Sequence, residues 1–308
     1  FDNNQIALAL NVSSHWIRRL RWENKRSTRD LTGQHQATRQ RPSDSLMDQL
    51  VTQEVLRVGH AYGRKMLSAS LSVTNPLFHF ARERVQASMQ RLFPIAMAKR
   101  AVHAARRIQR GAYHAPHFGY SAHLDLACKL QEYDIYVAAI VDGDSRMCCA
   151  LTALTNKLPI TIYLFVMLGF LHEFGYPNQL VTDRGNEFRL CAFACMAVQS
   201  LTGYGGIRPR PAHKCTKSTS NIRVEKFNIE INVRVLAIVR LLINQLENLN
   251  ILDKDNFLQT GALSSIIMPL MQVGLDRLRA AWNEGRASLR QPALMRLLPG
   301  PRSLIINP

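Results

Sequence analysis

The sequence lacks the marks of several protein classes. Its six cysteines form no CxxC pair, and none combines with histidine at zinc-finger spacing, so no cysteine-based metal site is predicted. Two or three of the cysteines fall within apolar runs, which indicates free thiols in a reducing compartment rather than disulfides. No signal peptide is recognised. The chain begins with Phe1 rather than Met, as expected of a fragment.

Long apolar runs and an excess of acidic residues are also missing. The most apolar stretch, residues 158–171, is too short to span a bilayer comfortably, which indicates a core segment. There is no clear basic amphipathic helix, so a membrane partner is not expected. Only 22 acidic residues stand against 39 lysines and arginines, and the net charge is +17. Such a protein attracts polyanions, of which nucleic acid is the commonest inside cells.

Length and pattern predict a folded protein of several parts. The chain has 308 residues, room for about two domains, and 47% are hydrophobic, which argues against wholesale disorder. The pattern divides it into a helix-turn-helix-like segment with a linker (residues 1–45), a helical DNA-binding segment with a basic tether (46–118), an α/β core (119–250) and a helical tail (251–308).

The first 21 residues have the spacing of two short helices around a turn. Ser13 or Ser14 can cap the second helix, and Arg18 and Arg19 then lie on its outer surface. Two interpretations stay open: a helix-turn-helix DNA reader, or any small helical hairpin.

A further helical unit over residues 46–92 is followed by a basic segment, residues 97–116. The basic side chains of this segment are Lys99, Arg100, Arg106, Arg107 and Arg110. Because the segment comes directly before a predicted strand, we interpret it as a tether that contacts DNA phosphates. The alternative is a solvated helix face.

From residue 120 the pattern becomes that of a mixed α/β layer. The predicted strands lie in residues 121–130, 133–154 and 178–183, and the predicted helices in 161–175, 188–201 and about 219–248. The turn DGDS joins the middle pair of strands. Residues 203–218 are predicted to be a flexible loop.

Three carboxylates occupy prominent places in these elements. Asp125 alternates with apolar residues on the first strand, Asp183 ends the last strand, and Glu225 lies early on the long helix. Taken singly, each has a structural explanation: a buried hydrogen-bonded aspartate, a helix N-cap and a surface glutamate. Asp142 and Asp144 compete for the first position, but the turn chemistry of DGDS explains both without a metal.

Taken together, Asp125, Asp183 and Glu225 resemble the catalytic triad of the integrases and DDE transposases of retroviruses and mobile elements. VTDRGNEF looks like that family's Asp-Asn-Gly-x-x-Phe block, with Arg184 where asparagine is usual. IVDGDSRM resembles the Asp-Gly-x-Ser-Arg turn of eukaryotic integrase-core proteins, and STSNIRVEKFN is similar to their Asn-x-x-x-Glu segment. WNEGR resembles their Trp-Asn-x-His motif, with Gly285 in place of histidine. The resemblance covers about residues 80–290.

The resemblance implies a ribonuclease-H-like mixed sheet with flanking helices over residues 119–250. It also implies metal-dependent cleavage and transfer of DNA strands, as in DNA integration and recombination. Two Mg²⁺ or Mn²⁺ ions ~3.5–4 Å apart suit this chemistry. Asp125 would bridge both ions, and Asp183 and Glu225 would each complete one. The expected partners are double-stranded DNA (element ends and target) and further copies of the chain. The expected location is the nucleus.

The loop over residues 203–218 is expected to contact DNA near the cut. Its basic residues are Arg208, Arg210, His213, Lys214 and Lys217. The alternative is a plain basic surface loop. The replacements at Arg184 and Gly285, and the lack of a zinc-binding HHCC module, leave open a domesticated DNA-binding protein without activity. A ribonuclease-H-like nuclease acting on RNA–DNA hybrids would share the carboxylates.

Overall fold

The computed structural model describes residues 39–98, 115–202, 210–216 and 221–287. Several predicted features lie outside the described residues: the helix-turn-helix of residues 3–21 with Arg18 and Arg19, the tether cations Lys99, Arg100, Arg106, Arg107 and Arg110, and the loop cations Arg208 and Lys217.

Three helices form over residues 44–92, as the helical spacing of residues 46–92 predicts. They are α1 (Asp44–Val58), α2 (Arg64–Thr74) and α3 (Arg82–Leu92). The Ser43 side chain accepts a hydrogen bond from the Leu46 backbone N–H at 3.2 Å and so caps the start of α1. Gly59 ends α1 with a φ of +78°, which favours glycine.

The strands of the described residues form one five-stranded sheet. They are β1 (Ala122–Leu130), β2 (Ile135–Asp142), β3 (Cys148–Leu154), β4 (Leu180–Thr182) and β5 (His213–Cys215). The order across the sheet is β3-β2-β1-β4-β5. β1, β2 and β3 pair antiparallel, whereas β4 pairs parallel with β1 and with β5. The ribonuclease-H-like fold expected from the resemblance is therefore confirmed.

The prediction of an unstructured loop over residues 203–218 is wrong at β5. Leu180, Val181 and Thr182 of β4 pair with His213, Lys214 and Cys215 in turn. The strand has only three residues, without an alternating apolar pattern, so its local sequence carries no strand signal. Pairing with a buried neighbour supplies the order that the local sequence does not.

Helices follow the strands on both faces of the sheet. These are α4 (Pro159–Phe174), α5 (Arg189–Thr202), α6 (Ile222–Ile231, continued through Asn232–Leu236 into Ala237–Asn248) and α7 (Phe257–Ala287). The middle part of α6 is a π-helical turn inside the long helix predicted over about 219–248. α4 begins with Pro159 and ends before Gly175, as the predicted stop signal requires.

Strand β2, between β3 and β1, is buried along its whole length and separates two cores. Val137, Ala139 and Val141 face a core built with α1, α2, α3, α6 and α7. Tyr136, Ala138 and Ile140 face the other core, built with α4 and α5. Because alternate side chains of a strand point to opposite faces, this division makes a three-layer sandwich. The helices of residues 44–92 thus share one core with the sheet.

The long helix α7 covers the outer edge of the sheet. The Gln272 side chain accepts a hydrogen bond from the backbone N–H of Ala153 and donates one to the carbonyl of Leu151, at 2.9 and 3.1 Å. The Asn283 amide makes the same pair of bonds with the backbone of Cys148, at 2.9 and 3.0 Å. The backbone groups of the edge strand β3 are satisfied in this way, which protects it from pairing with other chains.

Helix α7 also meets the length and composition of a membrane span over Phe257–Gly285, and 33% of its most apolar window is buried. Its buried side chains, among them Leu263, Met271, Leu275 and Leu278, belong to the core shared with α1 and α2. All six cysteines are free thiols, as predicted.

Candidate active site

Asp125 lies on β1, and Asp183 is the first residue after the neighbouring parallel strand β4. β1 and β4 pair in the register Ala122 with Leu180 and His123 with Val181, an offset of 58 residues. Asp183 also lies 58 residues after Asp125, so the two carboxylates follow the same register two residues beyond the last pair. The spacing of the two carboxylates in the sequence thus equals the offset between paired residues of β1 and β4.

Asp125 is a buried carboxylate, with 7% of its surface exposed. Burial, together with the charges of Glu225 and Asp183, raises the pKa of Asp125 to about 7. The Nδ2 group of Asn228 donates a hydrogen bond to Asp125 Oδ2 at 2.7 Å. The ionised form of a carboxylate that is buried near other carboxylates is strongly stabilised by a bound cation.

Glu225 is placed by the first turns of α6. Its backbone N–H donates to the carbonyl of Asn221 at 3.1 Å, the first hydrogen bond of the helix. Asn228 lies one turn further on the same helix and contacts Asp125. Glu225 is half-buried, and its charge raises the pKa of Asp125. The helix therefore directs one carboxylate and one amide towards the same aspartate.

A buried hydrogen-bond pair joins the start of α6 to β1. Asn221 is fully buried, and His123 has 3% of its surface exposed. Asn221 Oδ1 lies 2.6 Å from His123 Nδ1, and Asn221 Nδ2 donates to the carbonyl of Leu124 at 3.4 Å. Burial lowers the pKa of His123 to about 4. Sequence reasoning missed His123 and Asn228, whereas Asn221 is the asparagine of the Asn-x-x-x-Glu motif.

Gly185 of VTDRGNEF lies in the tight turn after Asp183. The Gly185 N–H donates to Asp183 Oδ1 at 2.9 Å, which fixes the carboxylate in this turn. The carboxylate of Glu187 folds back over Gly185. Phe188 is buried in the core behind the turn. Arg184, which stands where the family has asparagine, is exposed.

The predicted DNA contacts in the described residues have different surroundings. Arg210 lies over the Tyr120 ring at 3.8 Å and donates to the Tyr120 carbonyl and to Gln179 Oε1. It thus joins the residues that precede β1 and β4. His213 is half-buried, and its Nε2 lies 2.9 Å from Thr182 Oγ1. Lys214 is exposed, and its charge lowers the pKa of His123. Of these three residues, Lys214 is the one whose side chain is exposed.

The DGDS turn has a structural role. Asp142 accepts hydrogen bonds from the backbone N–H groups of Gly119, Asp144 and Ser145 and from the Ser145 hydroxyl. These bonds occupy both of its oxygens, so the turn accounts for Asp142 as predicted. The next residue after the turn, Arg146, has a φ of +59°, and its carbonyl accepts a hydrogen bond from Trp282 Nε1 at 2.9 Å.

The WNEGR motif anchors α7 to the rest of the site. Trp282 stacks on Phe227 of α6 with ring centroids 4.9 Å apart, and Asn283 bonds to β3. Gly285 is buried against α2, where an added Cβ would lie 3.4 Å from Ala69 Cβ. Gly285 therefore lies where α7 packs against α2.

The donor set suits a hard divalent cation. Mg²⁺ and Mn²⁺ bind carboxylate and carbonyl oxygens, and all three triad residues supply carboxylates. Asn228 Oδ1, a buried oxygen beside Asp125, has no hydrogen-bond partner. Within the described part of the chain, however, no three acidic, histidine or cysteine side chains lie close enough together to hold a metal ion as they stand.

The pKa of Asp125 leads to a prediction about stability. Its folded pKa of about 7 exceeds the ordinary value of 3.8, so the native state keeps the proton between these values. Ionisation of the buried carboxylate therefore destabilises the native state. This destabilisation is absent below pH 4 and complete above pH 7. We compare the free energy of unfolding of Asp125→Asn with that of wild type, both without metal. We expect this difference to favour the variant by about 2–4 kcal/mol more at pH 8 than at pH 4.

Denaturant unfolding of wild type and variant at the two pH values, with a chelator present, measures this difference. The side chain of the variant can still accept a hydrogen bond from Asn228, so any change in packing is the same at both pH values. A difference between wild type and variant that does not depend on pH would contradict the expectation.

The sheet order and the strand-mounted aspartates define a ribonuclease-H-like integrase core fold. A model of the integrase core domain family matches residues 112–292, more than half of the chain. The chain belongs to the integrase core domain family. No curated protein matches the chain.

Proposed function

We propose that the protein cleaves and joins DNA strands with divalent metal ions held by Asp125, Asp183 and Glu225. The observation that carries this proposal is the electrostatic convergence on Asp125. Its carboxylate is buried, its pKa is raised to about 7, and Glu225 and Asp183 are the acidic groups whose charges raise that pKa. A fold has little reason to gather three carboxylates from two strands and a helix unless a cation joins them.

The chemistry of phosphodiester transfer explains this arrangement. Charge develops on the attacking oxygen, the leaving oxygen and the non-bridging oxygens of the phosphate. Bound Mg²⁺ or Mn²⁺ ions would neutralise that charge and orient both oxygens. The protein's own residues would hold the ions on a rigid strand pair, with Asn228 orienting the Asp125 carboxylate and Lys214 available to a DNA phosphate.

The test is a strand-transfer and nicking assay on duplex DNA. We expect product with Mg²⁺ or Mn²⁺ and none with a chelator. An RNA–DNA hybrid run beside the duplex separates this function from that of a nuclease specific for hybrids, which would cleave only the hybrid.

A second candidate is a DNA-binding protein that has lost the chemistry. Arg184 and Gly285 depart from the family pattern, and the described carboxylates do not form a ready metal cluster. Such a protein would bind DNA with the same steep salt dependence but would show no metal site that depends on Asp125. Calorimetric titration with Mn²⁺ of wild type and Asp125→Asn distinguishes the two candidates.

We also propose that the basic segment of residues 97–116 contacts DNA phosphates. Each phosphate contact releases counterions and adds about 0.9 to the slope of log affinity against log salt. Replacing Arg106, Arg107 and Arg110 with alanine should therefore flatten that slope by roughly two to three units. Binding should weaken about equally for all sequences, because phosphates carry no base information.

Fluorescence anisotropy over a range of salt concentrations measures the slope, and a melting curve checks that the triple variant is folded. Lys254→Ala, which removes an exposed cation between α6 and α7, is the control and should leave the slope unchanged. An unaltered slope in the folded triple variant would assign the segment to a solvated helix face.

The place of action and the assembly follow from the same proposal. A protein that joins element ends to target DNA needs two DNA partners, and we propose that copies of this chain act together in the nucleus. Sedimentation with and without DNA tests the assembly.

A further inference from the structure

Asn221 occupies the N-cap position of α6 but does not cap the helix. Asparagine is among the best N-cap residues because its side chain can accept a hydrogen bond from the helix N–H groups. Here the side chain makes no such bond. Its two polar atoms instead face residues of β1, and the residue is fully buried.

The hydrogen bonds fix the orientation of both side chains. Asn221 Nδ2 donates to the Leu124 carbonyl, so Asn221 Oδ1 is the atom that faces His123. Because Oδ1 can only accept, His123 Nδ1 carries the hydrogen of the 2.6 Å contact. His123 and Leu124 are the two residues that precede Asp125. The two bonds of Asn221 therefore end on the His123 side chain and the Leu124 carbonyl, directly before Asp125 in β1.

The same asparagine is the starting point of α6. Its carbonyl accepts the hydrogen bond from the Glu225 N–H, so the position of Asn221 sets where Glu225 begins its turn. A helix whose carboxylate is to meet Asp125 needs a fixed point at its start.

We infer that His123 and Asn221 act as positioning residues that hold Glu225 in register with Asp125. We call His123, Asn221 and the Leu124 carbonyl the helix latch. The inference rests on the proposed function where it concerns metal ions, and on the geometry alone where it concerns the start of α6. Both side chains are buried, so loss of either one leaves a polar group without its partner and frees the helix start.

Two substitutions at position 123 separate this role from plain packing. His123→Leu fills the space but cannot donate. His123→Asn carries its amide nitrogen at the same distance along the side chain as Nδ1 and can still donate to Asn221. A role in packing alone predicts that leucine is tolerated better than asparagine, whereas the helix latch predicts the reverse.

The first measurement is hydrogen exchange of the full chain, followed in peptides that cover residues 222–231. We expect exchange there to be at least about tenfold faster in His123→Leu than in wild type, with His123→Asn close to wild type. Exchange in α1, which packs on α2 and α3 rather than on the helix latch, should not change. Equal exchange in residues 222–231 for wild type and His123→Leu would overturn the inference.

The second measurement is Mn²⁺ affinity, followed by calorimetry. Loss of a residue that orients a metal ligand typically weakens binding by about 10–100-fold. We expect that loss in His123→Leu and recovery in His123→Asn. If wild type binds no Mn²⁺, the proposed function fails, and the hydrogen-exchange comparison alone decides the inference.

Asn221→Ala provides a second route if His123→Leu does not fold. It removes the bond to His123 from the helix side, together with the bond to the Leu124 carbonyl, and should speed exchange in residues 222–231 at least as much. In a double-mutant cycle, His123→Leu should add little to Asn221→Ala, because the bond between the two side chains is already lost. Fully additive effects would show that the two residues act separately and would overturn the inference.

Discussion

Asp183→Asn should reduce metal-dependent strand transfer by at least about 10³-fold, because removing a metal ligand forfeits several kcal/mol of charge stabilisation in the transition state. The side-chain oxygen of asparagine can still accept the hydrogen bond from the Gly185 N–H, so the turn after β4 is kept. The substitution therefore removes a charge from the site and leaves its backbone in place. Product formation under single-turnover conditions measures the effect.

Asp134→Asn is the matched control for this substitution. Asp134 is an exposed aspartate between β1 and β2 with a φ of +54°, a conformation that asparagine adopts readily. The same chemical change there should leave strand transfer within about twofold of wild type, since exposed surface substitutions usually have small effects. If Asp183→Asn is as active as Asp134→Asn, Asp183 does not belong to the catalytic set.

Trp282→Ala should lower the free energy of unfolding by about 3–5 kcal/mol, the usual cost of removing a large buried aromatic side chain. Trp282 has 6% of its surface exposed, stacks on Phe227 and donates a hydrogen bond to the Arg146 carbonyl. It therefore joins α7 to α6 and to the turn after β2. Denaturant unfolding measures the loss.

Two further variants divide this loss into parts. Trp282→Phe keeps an aromatic ring against Phe227 but loses the indole N–H, so it should cost less than the alanine variant. Leu270→Ala changes the same helix at a side chain that is 68% exposed and should alter stability by no more than about 0.5 kcal/mol. If Trp282→Ala costs no more than Leu270→Ala, the WNEGR motif does not anchor α7.

The sequence predicts those parts of the site that have a local signal. Asp125 lies within an alternating strand, and Asp183 ends a short apolar run, so both strands are recognisable from their own residues. The family motifs then connect the two aspartates and Glu225, and the register of β1 with β4 agrees with the spacing of the aspartates. Helix ends such as Gly175 are likewise marked by single residues with defined backbone preferences.

The features that the sequence does not predict depend on distant neighbours. β5 becomes a strand only because β4 offers it a pairing edge. His123 and Asn228 carry no local sign of their contacts, since their partners lie 98 and 103 positions away along the chain. Arg210 belongs to a basic stretch that suggests DNA contact, but Tyr120 and Gln179 occupy its guanidinium group.

The N-terminal helices show the same dependence on packing. Their helical spacing is evident from sequence, whereas the surface that they cover is not. In the structure, Arg234 in the π-helical turn of α6 donates a hydrogen bond to the Ala61 carbonyl and lies over the Tyr62 ring, and Arg277 of α7 donates to the Arg57 carbonyl. These contacts join residues 44–92 to α6, which carries Glu225, and to α7.

Strand transfer by wild type, run beside Asp125→Asn on the same duplex DNA with Mg²⁺, tests the central claim most directly. Asp125 is the carboxylate on which the site converges, and asparagine replaces it without a change in size. The account predicts joined products with wild type, none when a chelator removes the metal, and a loss of at least about 10³-fold in the variant. Products from Asp125→Asn equal to those of wild type, or products formed without metal, would contradict it.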